Sequence, residues 1–113
     1  MYKIILAKDL ELRPNGTVKF EGAAHGSGAC FFHVKADPGK GATLHKHPYP
    51  ETWIVLQGAV RFTVGSEQVE AGPGQIVVAE ANVPHKYHNI GTDRLEIMCI
   101  HPSPNILQEE IEE

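Results

Sequence analysis

The sequence has no apolar run long enough to cross a membrane and no cluster of basic residues. A membrane-spanning helix needs about 20 apolar residues, whereas the first apolar stretch, YKIILA, is short and contains a lysine. Ten Lys and Arg against 14 Asp and Glu give a net charge of -4, and nucleic-acid binding requires a basic face. We therefore expect no membrane span, no signal peptide and no nucleic-acid partner, and we expect a cytoplasmic protein.

Cysteine is also scarce. The two cysteines, Cys30 and Cys99, lie in the apolar segments ACFF and IMCI. Disulfides are rare in cytoplasmic proteins, so we expect two buried, reduced thiols rather than a disulfide. A chain of 113 residues with 42% apolar residues is typical of one globular domain, here residues 1–113.

Helical periodicity is missing from most of the chain, and strand patterns take its place. Glycine and proline separate short segments rich in β-formers, namely residues 29–36, 51–58, 59–65, 74–80 and 94–101. The tail NILQEEIEE is a weak helix candidate that could equally form a last strand or contact a second subunit. Many short strands predict an all-β sandwich or barrel.

Alternation along two of these segments assigns their faces. Val60, Phe62 and Val64 share one side of the segment 59–65. In the segment 51–58 both faces are largely apolar, so we expect this strand to be covered on both sides.

A cluster of histidines and a glutamate stands in TLHKHPYPETW. His45 and His47 are two residues apart, which places both imidazoles on one face of a strand. The turn PYP can bring Glu51 back toward them, and His85 lies near another strand start. Three imidazoles and a carboxylate suit a divalent transition metal. Spacing alone leaves open that these are scattered surface histidines.

These residues also lie in a pattern that resembles the two motifs of the cupin superfamily. GKGATLHKHPYPETWIVLQG, within residues 39–58, resembles the first motif, in the order Gly39, His45, His47, Glu51 and Gly58. GQIVVAEANVPHKYHN, residues 74–89, resembles the second, with Gly74, His85 and Asn89 in place. The 15-residue spacer, 59–73, is of the short kind found in small bacterial cupins.

The second motif departs from the family pattern at two positions. Glu80 stands where the family has proline, and Asn82 stands where it has glycine. Asparagine tolerates a left-handed backbone, so Asn82 can replace glycine. Glu80 is expected either in solvent or at the rim of the site.

The resemblance implies a single-domain cupin jelly roll, a double-stranded β-helix barrel, with a metal inside one end. The residues carried over as ligands are His45, His47, Glu51 and His85, and the ion would be one divalent Mn, Fe, Ni or Zn per chain. Asn89 carries over as a structural position. Tyr87, on the strand face of His85, and Glu80 are the candidate catalytic proton donors.

The other histidines and the large side chains are assigned structural roles. We expect His33 at the surface or in the barrel wall, His88 pointing away from the site, and His25 in solvent. His101 is expected in a packed or capping role, although it could help to bind a ligand or a subunit. Trp53 and Phe62 are expected in the core. Arg61 is expected at the surface, although a buried arginine could bind a carboxylate substrate.

Two functions are compatible with the resemblance. The first is a metal-dependent enzyme of the dioxygenase or decarboxylase class that acts on a small carboxylate or enol-type substrate. The second is a metal-containing protein that binds or senses a small molecule without turnover. The N-terminal YKIILA is strand-like, and this segment and the apolar residues of the tail could swap or pack across subunits, which predicts a homodimer.

Overall fold

A computed structural model describes residues 1–113 of the protein. Two short 3₁₀ turns, Ala7–Asp9 and Gly22–His25, accompany eleven β-strands. The strands are β1 (Glu11–Leu12), β2 (Val18–Phe20), β3 (Cys30–Ala36), β4 (His45–Lys46), β5 (Glu51–Gln57), β6 (Val60–Val64), β7 (Glu67–Ala71), β8 (Ile76–Ala79), β9 (His85–Asn89), β10 (Leu95–His101) and β11 (Glu109–Glu110). The structure contains no helix long and apolar enough to cross a membrane.

The strands form two antiparallel sheets. One has the order β1-β2-β3-β10-β5-β8, and the other has the order β11-β4-β9-β6-β7. The jumps from β3 to β10 and from β4 to β9 join strands that are far apart in sequence, so the motif regions meet through long-range pairing. His45 on β4, for example, is directly opposite His85 on β9. The predicted all-β architecture is confirmed.

Alternating residues from both sheets build the core between them. On β10, Leu95, Ile97 and Cys99 point inward and are at most 3% exposed. Trp53 of β5 stacks on Phe62 of β6 with ring centroids 4.4 Å apart, so this pair joins the two sheets. Burial of each such side chain contributes about 1.5–3 kcal/mol, and the core roles expected for both aromatics are confirmed.

Two expectations about the strands are corrected by the structure, and the alternatives left open for the tail are decided. The outer face of β5 is covered only in part, because Thr52 and Ile54 are half-buried whereas Leu56 is 47% exposed. The N-terminal YKIILA forms no strand, since no other strand of the chain pairs with it. The tail follows the strand alternative, with β11 pairing with β4.

Backbone conformation agrees with the predicted motif turns. Asn82 has φ of 65°, so it adopts the left-handed conformation of the glycine that it replaces. Asn89 is buried and donates to the carbonyls of Ala36 at 3.0 Å and Asp93 at 2.9 Å, while Gly91 N–H donates to its Oδ1. Asn89 therefore ties β9 to the end of β3 and to the loop before β10, which supports the structural role expected for it.

The two cysteines lie in the interior. Cys30 and Cys99 are both buried and unpaired, as expected. Burial raises the pKa of the Cys99 thiol well above its ordinary value, so this cysteine stays protonated and behaves as a small apolar side chain.

Candidate metal centre

The structure brings together all four residues that the motifs nominate. His45 lies on β4, His47 follows it, and Glu51 and His85 begin β5 and β9. One ligand atom from each lies within 4.8 Å of the others, and none of the four residues is more than 7% exposed. Four polar side chains are thus gathered at one buried point of the barrel.

Two prolines shape the connection between His47 and Glu51. Pro48 and Pro50 fix their own φ angles, and each restricts the residue before it to extended conformations. The resulting bend returns the chain, so that Glu51 Oε1 lies 3.1 Å from His47 Nε2. The bend proposed for PYP is therefore present.

Each imidazole of the cluster is oriented by a backbone carbonyl. His45 Nδ1 lies 2.6 Å from Thr43 O, His47 Nδ1 lies 2.7 Å from Leu107 O, and His85 Nδ1 lies 3.0 Å from Val83 O. A carbonyl can only accept, so each Nδ1 carries the proton and each Nε2 presents a lone pair to the centre. This is the tautomer that a metal ligand requires.

Three buried polar atoms of the cluster have no hydrogen-bond donor to pair with. Glu51 Oε1 lies 3.1 Å and 3.0 Å from Nε2 of His47 and His85. Although the atoms are close, none of these three has a hydrogen-bond partner, because lone pairs face lone pairs. Such buried groups are costly unless a cation lies among them. Ligands bound side by side on an ion at about 2.1 Å are about 3 Å apart, so the residues fit a divalent transition metal.

Electrostatics in the cluster keep the carboxylate ionised. Burial raises the pKa of Glu51, but in the metal-free protein the hydrogen bonds that His101, His47 and His85 donate when their Nε2 atoms carry a proton outweigh this and hold the pKa well below its usual range. Burial lowers the pKa of His45, which favours the neutral, ligating form. For His47, burial also lowers the pKa, but the Glu51 carboxylate outweighs it and the net pKa is raised, so in the metal-free protein a proton can take the place of the cation between Nε2 and Glu51 Oε1.

The cluster opens into a cavity of about 440 Å³. His45 and Glu51 form part of its wall, and Tyr87 also lines it, as expected of a candidate donor. Burial raises the pKa of Tyr87 far above its ordinary value, so its hydroxyl stays protonated. Glu80 is exposed and does not line the cavity. Successive side chains of a strand point to opposite faces, so Glu80 points into solvent because the preceding residue, Ala79 at the end of β8, is buried.

Two residues near the site, Tyr49 and Arg13, were missed by the sequence reasoning, and a third, His101, follows the alternative that was not favoured. A packed or capping role was expected for His101, with ligand binding as the alternative, and it lines the cavity with its Nε2 3.3 Å from Glu51 Oε2. A signal was present, because His101 continues the inward alternation of Leu95, Ile97 and Cys99 on β10. Tyr49 and Arg13 carried no sequence signal, since a turn and an irregular segment place them.

The remaining histidines lie outside the cluster. His88 is exposed, as predicted. His33 is half-buried and lies 2.9 Å from Glu96, at the barrel surface. His25 was expected in solvent, but its ring stacks on Phe20 with centroids 5.0 Å apart. Arg61 lies at the surface, where it contacts Glu70 at 3.3 Å.

Comparison with known proteins identifies the family. Residues 32–101 match the Cupin domain family, and the chain belongs to this family. An uncharacterized protein of Streptomyces coelicolor is 31% identical over 68 residues, which are 60% of this chain and 64% of that protein. An uncharacterized protein of Methanocaldococcus jannaschii is 34% identical over 62 residues, 54% of this chain and 50% of that protein. The chain thus spans less than two thirds of either relative.

Solved structures confirm the cupin fold. The oxalate decarboxylase of Lactobacillus farciminis in complex with formate has a TM-score of 0.80 at 20% identity, covering 92% of this chain and 34% of that one. The Bacillus subtilis oxalate decarboxylase, with Mn(II) centres, has a TM-score of 0.80 at 18% identity, covering 89% and 29%. At this identity the likeness shows the jelly-roll fold alone.

Proposed function

We propose that this protein is a metal-dependent cupin enzyme of the dioxygenase or decarboxylase class that acts on a small carboxylate or enol-type substrate. One divalent Mn, Fe, Ni or Zn ion would be held by the cluster of His45, His47, Glu51 and His85. The observation that carries the proposal is the opening of this buried cluster into a cavity whose wall also contains unpaired cations.

Charge favours an anionic substrate in this cavity. A divalent ion with three neutral imidazoles and one carboxylate keeps a net positive charge and would supply Lewis acidity toward an anionic oxygen. Arg13 and Lys40 also line the cavity and form no ion pair with the protein, and the Arg13 guanidinium lies 5.2 Å from the Phe32 ring centroid. Glu110, a carboxylate in the same wall, is hydrogen-bonded to Thr43 at 2.9 Å. Arginine can bind a carboxylate through two parallel hydrogen bonds.

The chain's own residues supply the rest of the chemistry. Phe32 and Val34 contribute an apolar part to a cavity wall that is otherwise mostly polar. The hydroxyl of Tyr87 stays protonated and is available to donate a hydrogen bond to the substrate. Similarity of fold to two oxalate decarboxylases supports a small carboxylate as the substrate class, although fold alone does not determine function.

A binding protein without turnover is the second candidate. Decarboxylation needs a proton donor beside the substrate, and of the two donors nominated from sequence only Tyr87 lines the cavity. This scarcity of donors favours a sensor or carrier of small anions.

Activity screening distinguishes the two candidates. Protein loaded with Mn²⁺, Fe²⁺, Ni²⁺ or Zn²⁺ would be tested on oxalate, other small carboxylates and enols, with CO₂ release and O₂ consumption measured. We expect turnover only with metal and intact Glu51. We expect Arg13→Gln to raise KM about 10-fold or more, from the loss of a charge-assisted contact, while Arg61→Gln leaves it unchanged. Saturable anion binding without turnover would contradict the proposal of an enzyme and support the proposal of a binding protein.

We also propose that the protein forms a homodimer and works in the cytoplasm. Exposed apolar side chains support the dimer, among them Tyr2 at 85% and Ile4 at 79% exposure in the N-terminal segment and Ile76 at 63% on β8. Such surface is commonly covered by a partner. Light scattering at micromolar concentration should give twice the chain mass, and the mass of one chain would contradict the dimer.

A further inference from the structure

The two carboxylate oxygens of Glu51 have different surroundings. Trp53 Nε1–H donates to Oε2 at 2.9 Å, and His101 Nε2 lies 3.3 Å from the same oxygen. Oε1 instead faces Nε2 of His47 and His85 and has no donor. The carboxylate is therefore held through Oε2 by the Trp53 N–H, with His101 Nε2 beside the same oxygen, and presents Oε1 to the metal position.

Tyr49 determines the tautomer of His101, and therefore whether the nitrogen that faces Glu51 carries the ring proton. The Tyr49 hydroxyl lies 2.6 Å from His101 Nδ1, and Leu107 N–H donates to the same hydroxyl oxygen at 3.3 Å. With that oxygen accepting from the backbone, the hydroxyl proton is directed to Nδ1, so Nε2 carries the ring proton. The opposite tautomer would set a lone pair of His101 against the carboxylate of Glu51, at an energetic cost.

Tyr49 and Leu107 also hold one imidazole of the cluster, that of His47. Leu107 donates its N–H to Tyr49 and accepts from His47 Nδ1 through its carbonyl at 2.7 Å. The Tyr49 ring is stacked on His47, with centroids 5.2 Å apart and planes 4° apart. Tyr49 is thus in contact with both His47 and His101, and His101 is only 1% exposed.

We propose that Tyr49 and His101, together with Trp53, are positioning residues that make Glu51 a ligand through Oε1 alone. A second bond from Oε2 would compete with the Trp53 N–H and with His101 for the same oxygen. One carboxylate oxygen and three imidazole nitrogens would leave room on a bound ion for a substrate anion. This inference rests on the metal site under Proposed function and deepens it.

The proposal is tested by metal binding rather than by turnover. Tyr49→Phe removes the hydroxyl and keeps the ring stacked on His47. His101→Leu removes the N–H that faces Glu51, whereas His101→Gln retains an N–H donor of similar reach. His88→Gln, on the exposed face of β9, is the matched control. Circular dichroism and melting of the metal-free proteins establish that each variant folds.

Titration with Mn²⁺ and the absorption spectrum of bound Co²⁺ are the measurements. We expect Tyr49→Phe and His101→Leu to weaken metal binding about 10–100-fold, as for other groups that orient ligands, with one ion per chain retained and a shifted Co²⁺ spectrum. His101→Gln should recover most of the affinity, and His88→Gln should match the unmodified protein. If His101→Leu does not fold, Tyr49→Phe and His101→Gln provide the same comparison.

Three other outcomes would contradict the proposal or the function on which it rests. Unchanged affinity and spectrum in Tyr49→Phe and His101→Leu would overturn the positioning role while leaving the metal site intact. Complete loss of metal in both His101→Leu and His101→Gln, with no effect of Tyr49→Phe, would make His101 itself a ligand and would also overturn the proposal. Absence of Mn²⁺ and Co²⁺ binding by the unmodified protein would refute the proposed function, and the inference with it.

Discussion

The replacement Glu51→Gln isolates the contribution of the carboxylate to metal binding. The glutamine amide has nearly the same shape, so Trp53 can still donate to its oxygen. Its NH₂ group would face Nε2 of His47 and His85, the acceptors that have no donor in the protein. The metal-free variant should therefore fold normally, yet it lacks the only anionic ligand of the cluster.

The expected effect on thermal stability can be estimated from the chain length. A ligand at 100 times its Kd stabilises the folded state by about 2.7 kcal/mol. With an unfolding entropy of about 2.1 cal/mol/K per residue, a chain of 113 residues has about 240 cal/mol/K. The unmodified protein should therefore melt about 11 °C higher with metal at that concentration.

Differential scanning calorimetry with and without Mn²⁺ or Zn²⁺ measures this shift. At the same metal concentration, Glu51→Gln should show a shift of at most about 1–2 °C, since loss of the charged ligand lowers affinity by about 100-fold or more. Glu110→Gln is the matched control, because Glu110 is an exposed carboxylate in the wall of the same cavity. A full shift in Glu51→Gln, or an equal loss in Glu110→Gln, would refute the assignment of Glu51 as a ligand.

Three further predictions concern the core, the backbone and pH. Phe62→Ala should lower the free energy of unfolding by about 3–5 kcal/mol, since the ring is fully buried; a loss below about 1 kcal/mol in urea denaturation would contradict the core assignment. A Cβ on Gly41 would lie 1.9 Å from a backbone oxygen, whereas a Cβ on Gly39 would enter open space and meet only the strain of a φ of +82°. Gly39→Ala should therefore lower the free energy of unfolding by about 1–2 kcal/mol, and Gly41→Ala should lower it by more. Metal content should be lower after equilibration at pH 5 than at pH 8, because protons compete for the imidazoles. The raised pKa of His47 makes it protonate first as the pH falls, and burial, which lowers the pKa of His45, delays protonation there; equal content at both pH values would contradict histidine ligation.

The parts of the fold that follow from local pattern were predictable from the sequence. The alternation of apolar residues in the segments that became β3, β5, β6, β8 and β10 located those strands within one or two residues. β7 was missed because EQVEA is exposed except for its last residue and carries no alternating pattern. β1, β4 and β11 are two residues long and form only because other strands are present to pair with them.

The cluster was predictable for a similar reason. His45, His47 and Glu51 lie within seven residues, so their spacing carries information about shared direction. The roles of Tyr49 and His101 depend on contacts between residues 52 positions apart, which no local pattern contains. Arg13 lies in the cavity wall because the connection between β1 and β2, which also contributes Asn15 and Thr17, forms part of that wall, and its sequence context gave no indication of that.

Metal content per chain tests the central claim most directly. The protein would be purified without chelator or metal-affinity tag and analysed by elemental mass spectrometry beside His85→Ala, a variant of a ligand that is 2% exposed. We predict about one divalent transition metal ion per chain in the unmodified protein and none in the variant. No metal in the unmodified protein, with none taken up from added Mn²⁺, Fe²⁺, Ni²⁺ or Zn²⁺, or equal metal in both proteins, would contradict the account.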